Sequence, residues 1–224
     1  MGQVIGDLLP LALGIAISPV PIIAVILMLL APKAGGTSAG FLVGWVAGIV
    51  VATVVFVVIA SATGMQAGSD PSATSSWIKI VLGVLLVSLA GRQWRGRPKE
   101  GEEPSMPGWM AAIDTFTPVK ALGLGFLLSA VNPKNLAMAV AAGVAIGGGG
   151  LSTGETVVAV VVFTVLAAST VAVPVIAYAV ASARMAGPLD GLRHWLVQNN
   201  ATVMAVLLLV IGVVLAGKGI SGLG

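Results

Sequence analysis

The chain has 224 residues, of which 58% are hydrophobic and 8% charged, with a formal charge of +3 and a mean hydropathy of +1.08. Soluble domains are about half apolar and a quarter charged, so an ordinary water-soluble domain is excluded; with 0 cysteines, so are disulfide frameworks, thiolate metal sites and dithiol redox chemistry. The Lys and Arg residues are scattered and cluster only in one loop, which a positive-inside bias explains better than a nucleic-acid partner.

In chain order, apolar segments run over 4–31, 39–63, 77–91, 118–147, 156–183 and 195–217. They suit a hydrocarbon layer of about 30 Å. Each is predicted helical, because a backbone facing lipid must satisfy its own hydrogen bonds, and the period-two alternation of a membrane barrel is missing. The first follows no basic n-region, and Gly6 stands where a myristoylation signal needs Ser or Thr; it reads as a retained span without a lipid anchor. The second carries Gly44 and Gly48, a spacing that favours close helix packing. The third is short, with Trp77 and Trp94 placed for the two aromatic belts and Lys79 able to snorkel. The polar stretch 92–117 opens with Arg92, Arg95 and Arg97, continues with Glu100, Glu102 and Glu103, and reads as a flexible loop. After Pro107, the spacing of Trp109, Ile113 and Phe116 predicts a short interfacial helix. Pro174 predicts a kink in the fifth span, and Ser61, Thr63, Ser169 and Thr170 are predicted to bond their own helix backbones. His194, beside Arg193, reads as an interfacial anchor rather than a proton relay.

The connections after spans one, three and five hold Lys33; Arg92, Arg95, Arg97, Lys99 and Lys120; and Arg184 and Arg193, against Lys79 and Lys218 on the other side. Eight against two places 92–117 in the cytoplasm and both termini outside.

Residues 11–20 laid on 122–131, an offset of 111, match at Leu11/Leu122, Leu13/Leu124, Gly14/Gly125, Ser18/Ser129 and Val20/Val131. Helix-breaking proline stands at or just beyond the end of both stretches: Pro19 and Pro21, then Pro133. Three spans per half force the halves upside down relative to each other, so the predicted fold is an all-α integral membrane protein of six transmembrane helices in two inverted three-helix repeats, 1–91 and 118–224, joined by 92–117. Spans one and four are predicted to break at their prolines. If each break starts a half-helix, two N-termini with unpaired N–H groups face the middle of the membrane and favour an anion. Lys134 lies beside the second break, where an ionisable side chain is costly and functional by default. No Asp or Glu lies at that depth. The candidate substrate site is therefore Ser18, Pro19, Pro21, Asn132, Pro133, Lys134 and Asn135, with Lys134, Asp7 or Asp114 as possible coupling groups; the alternative for Lys134 is a structural bond to carbonyls freed by Pro133. No catalytic constellation, metal cluster or phosphate loop occurs, so neither an enzyme nor a cofactor is expected.

Ile17-Ser18-Pro19-Val20-Pro21-Ile22-Ile23, Phe41-Leu42-Val43-Gly44-Trp45 and Asn132-Pro133-Lys134-Asn135-Leu136 resemble the peptidoglycolipid-addressing (sulfolipid-addressing) family of the lysine exporter superfamily. The resemblance implies a six-span actinobacterial inner-membrane protein helping to move envelope glycolipids outward. In the lysine exporters proper the first motif resembles Pro-Gly-Pro; here Val20 replaces that glycine, which speaks against an amino-acid substrate, while Asn-Pro-Lys is kept. The expected partners are membrane lipids and an amphipathic glycolipid or other anionic substrate, with a homo-oligomer or a lipid-export machinery possible. Export of a small metabolite and service as an accessory scaffold are the alternatives.

Overall fold

The computed structural model describes residues 1–63, 73–98 and 107–223. Glu100, Glu102, Glu103 and Lys99 lie outside them. Among the described residues the chain is helical, with no strand: α1 (Gly2–Ala16), α2 (Pro19–Leu30), α3 (Ala34–Ala62), α4 (Ala73–Arg95), a 3₁₀ helix (Gly108–Thr115), α5 (Pro118–Ala130), α6 (Pro133–Gly147) and α7 (Thr153–Ser221). A non-helical residue, Ala181 (φ −144°, ψ 49°), divides α7 into a first limb, Thr153–Ser182, and a second, Arg184–Ser221. α3, α4 and the two limbs are each long and apolar enough to cross a bilayer. α1 with α2, bent by 53°, and α5 with α6, bent by 62°, qualify as pairs. The chain is thus a multi-pass membrane protein with four to six candidate spans.

Both bends fall where the prolines predict them. Pro19 and Pro133 each occupy the first helical position after an extended residue, Ser18 and Asn132, the arrangement that starts a new helix rather than kinking an old one. Proline inside α7 acts differently. The helix runs through Pro174 and Pro188, and its irregular residue is Ala181. The polar connection expected over 184–194 is instead helical: Leu189 is buried, and Arg193 pairs with Asp190 one turn back at 2.8 Å.

Small residues set the packing. Gly36, Gly40, Gly44 and Gly48 form one ridge of α3 against α5, so close that a Cβ on Gly44 would overlap the Leu122 backbone carbonyl. Only Gly44 and Gly48 were singled out from sequence, although Gly36 and Gly40 continue the same spacing. Beyond the second break, Gly143 and Gly147 of α6 lie against Phe56 and Ala60 of α3. α4 runs antiparallel to the second limb of α7 through Gly83, Gly212 and Gly219, closed by a 3.0 Å bond from Ser76 Oγ to the Gly222 carbonyl. α1 lies between α6 and that limb, with Gly14 against Met138 and Ile211. The short helix expected after Pro107 is present as a 3₁₀ helix packed against α2: Ile113 is buried and Trp109 and Phe116 are partly buried against the core, as their spacing suggested, and Met110, one three-residue turn before Ile113, is buried with them.

The glycine ridge generates a test. Gly44→Ala should lower the melting temperature of detergent-purified protein by several degrees, because backbone meets the new methyl. Gly123→Ala, with open space at its Cβ, should leave it unchanged or raise it slightly, since Ala is the better helix former.

Candidate functional site

In a continuous helix the Ile15 and Ile17 carbonyls would accept from residues 19 and 21, but both are proline and offer no N–H. The Ser18 N–H, which would have served Gly14, turns back to the Ala16 carbonyl at 2.9 Å. The end of α1 therefore releases carbonyls into the interior. Ser18 Oγ donates to the Ile15 carbonyl at 2.6 Å, Thr170 Oγ1 to the Ala16 carbonyl at 2.6 Å, and Lys134 Nζ to the Gly14 carbonyl at 2.5 Å. Lys134 Nζ also donates to Ser18 Oγ at 2.5 Å.

The second break supplies that ammonium. Asn132 is the N-cap of α6, its Oδ1 accepting from the Lys134 N–H at 3.0 Å. Asn135 Nδ2 donates to the Leu128 carbonyl at 2.9 Å across the break, while Asn135 Oδ1 is buried without a partner among the described residues. The structure thus brings Ser18, Pro19, Asn132, Pro133, Lys134 and Asn135 to one locus, with α1 and α6 antiparallel. Lys134 is 4% exposed and forms no ion pair among the described residues. Its two partners are neutral, and one of its three N–H donors is left over.

Three expectations change. Lys134 does bond a freed carbonyl, but one released by the first break, not by Pro133. The N-terminus of α2 is a poor anion site, since prolines at its first and third positions leave Val20 alone with an open N–H. For the same reason Ser18 takes the N-cap position without capping: the third-position donor is missing, and the hydroxyl turns back to α1. Of the proposed coupling acids, Asp7 pairs with Lys218 at 2.5 Å and Asp114 is exposed on the 3₁₀ helix; neither is a partner of Lys134. His194 is exposed beside Asp190, in keeping with an anchor. Thr63 and Ser169 bond their own helices as expected, whereas Thr170 crosses to α1. Nothing in the sequence near Thr170 announces that contact. Gly14 was visible only as a repeat match.

Beside this locus a groove of about 380 Å³ opens on the flank of the bundle, lined by Ile22, Thr170, Val173, Pro174, Leu192 and Leu196. Val173 is 62% and Leu192 40% exposed, so the groove faces the surroundings of the bundle. Thr170 belongs both to the groove and to the end of α1, whose last turn carries the carbonyl that Lys134 holds.

A family model for Sap, sulfolipid-1-addressing protein, matches residues 8–221. The chain belongs to this family. No curated protein and no solved structure matches it. The match to the sulfolipid-addressing family takes in both breaks, the second limb of α7 and every residue of the locus.

Removing the ammonium leaves Gly14 and Ser18 buried and undersupplied, at about 1–3 kcal/mol per unsatisfied group. Lys134→Met should therefore lower the melting temperature more than Thr170→Val, because the Ala16 carbonyl keeps the Ser18 N–H. Equal melting temperatures for the two variants would show that the tie between the breaks contributes little.

Proposed function

We propose that this member of the sulfolipid-addressing family is a transporter that moves an anionic envelope glycolipid across the inner membrane, with Lys134 binding the acidic headgroup and the groove beside Thr170 admitting the acyl chains. One observation carries this reading: a buried ammonium whose partners are all neutral lies at the meeting of two broken helices, and an apolar opening flanks the same break. A charge at such depth is costly. A sulfate, phosphate or carboxylate would supply the missing counter-charge, and the two neutral bonds hold the ammonium in its absence. An opening on the flank favours a lipid over a hydrophilic metabolite, which would need a closed polar chamber.

The proposed transporter has six crossings, each bent pair counting as one, in two inverted repeats. Support comes from the offset of 111, which continues beyond the proline motifs. It carries the buried positions Gly48, Ala52, Thr53, Val57 and Ala60 of α3 onto Ala159, Phe163, Thr164, Ala168 and Val171 of α7, buried as well. Thr53 and Thr164, related by that offset, are also both buried with hydroxyls unpartnered among the described residues. The wider kinship with lysine exporters rests on Asn132-Pro133-Lys134. Lys79 and Lys218 lie together at one end of the bundle, which supports placing the two less basic connections outside and 92–117 in the cytoplasm.

The test is reconstitution. Purified protein in vesicles should move a fluorescent sulfated glycolipid between leaflets faster than its desulfated counterpart. Lys134→Ala should cut the rate about tenfold or more, Lys134→Arg should recover part of it, and Leu196→Trp should slow entry by filling the groove. Full activity in the folded Ala variant would remove the headgroup role. Wild-type protein that moves amino acids but no lipid would favour metabolite export, and one that moves neither would favour an accessory subunit.

A further inference from the structure

At the end of the bundle away from the 3₁₀ helix, three helices bring charged side chains to one small cleft: Asp7 from α1, Lys79 from α4 and Lys218 from the second limb of α7. Its walls are apolar, including Leu11, Ala141, Ile211 and Leu215. The cleft holds about 20 Å³, room for a single water. Two ammoniums face one carboxylate. Asp7 Oδ1 engages Lys218 Nζ at 2.5 Å, and Lys79 forms no ion pair among the described residues. Trp77, 57% exposed and two residues from Lys79, suits the level of a membrane interface.

We infer that Lys79 and Lys218 form a second anion site for a lipid headgroup at this end of the bundle, and that the Asp7 carboxylate holds the anion's place while the site is unloaded. A sulfate or phosphate at the mouth of the cleft, where Asp7 and Lys218 are each about a third exposed, would displace Asp7 from Lys218 and gain Lys79, which pairs with no carboxylate among the described residues. The attached chain would run outward over Val214, the exposed apolar residue of the lining. Asp7 lies seven residues before Gly14 on α1, about 10 Å along the helix, on the stripe formed with Leu11. The cleft is thus the next cationic stop along α1 from Lys134. The assignment rests on the transport reading for its purpose, but not for its chemistry.

The absence of cysteine from the chain makes a direct test possible. Val214, which lines the cleft and is 38% exposed, becomes the single thiol in Val214→Cys. In neutral detergent its reaction with sulfonatoethyl methanethiosulfonate should outpace reaction with the trimethylammonium analogue by roughly tenfold, relative to free thiol, as a cationic focus predicts. Adding Lys79→Gln should remove most of that preference, and adding Asp7→Asn should increase it. Octyl sulfate should protect the thiol, while octyl glucoside at the same concentration should not. Protection by inorganic sulfate at equal concentration would support the anion site with the bare ion as its ligand; stronger protection by octyl sulfate would support the lipid headgroup. No charge preference, no effect of Lys79→Gln, or equal protection by octyl glucoside would overturn the site. A chain that shows the preference yet moves no lipid in vesicles would keep this site and lose the transport function proposed for Lys134.

Discussion

Backbone carbonyls inside a membrane have no water to turn to, and this fold releases several of them at its two proline breaks. The pieces of structure that take them up are the pieces that define the site. Ser18 serves Ile15, Thr170 serves Ala16, Asn135 serves Leu128, and Lys134 reaches from the second break to Gly14 of the first. The two halves of the chain are therefore tied through one ammonium. A movement that opens the first break must find Lys134 another acceptor, and an arriving anion offers one.

That exchange links the local chemistry to the proposed transport. Carbonyl and hydroxyl oxygens are weaker partners for an ammonium than a full negative charge is. In the proposed transport the neutral tie serves as the resting arrangement, which an arriving anion replaces. The cleft at Asp7, Lys79 and Lys218 repeats this logic at the bundle's end with a carboxylate as the stand-in. The glycine contacts of α3 with α5 and of α4 with α7 leave little room for these helices to separate, so opening is expected to centre on the bent pairs and on α7 near Ala181.

Much of the fold was legible because membranes reduce the choices. Apolar runs gave the helices, and Pro19, Pro21 and Pro133 gave both breaks, since a missing N–H and a restricted preceding residue act locally whatever the tertiary context. The helix across 184–194 was not legible. Arg184 and Arg193 marked it as a connection between apolar runs, whereas in the fold it is helical, with Leu189 docked in the core and Asp190 paired to Arg193. The site was half legible. Depth and lack of a carboxylate marked Lys134, but which carbonyl it would hold depended on how α6 crosses α1, and that is set by Gly14, Met138 and Ile211 in three different elements. Thr170 was hidden for the same reason: a threonine that bonds its own turn and one that bonds a neighbouring helix look alike in sequence.

The most direct test of the central claim is an experimental structure of the protein with a sulfated glycolipid bound. The account predicts a sulfate oxygen within hydrogen-bonding distance of Lys134 Nζ, the bond to the Gly14 carbonyl broken, and acyl chains running out past Thr170 and Leu196. A bound lipid that leaves the Lys134–Gly14–Ser18 tie intact would contradict it.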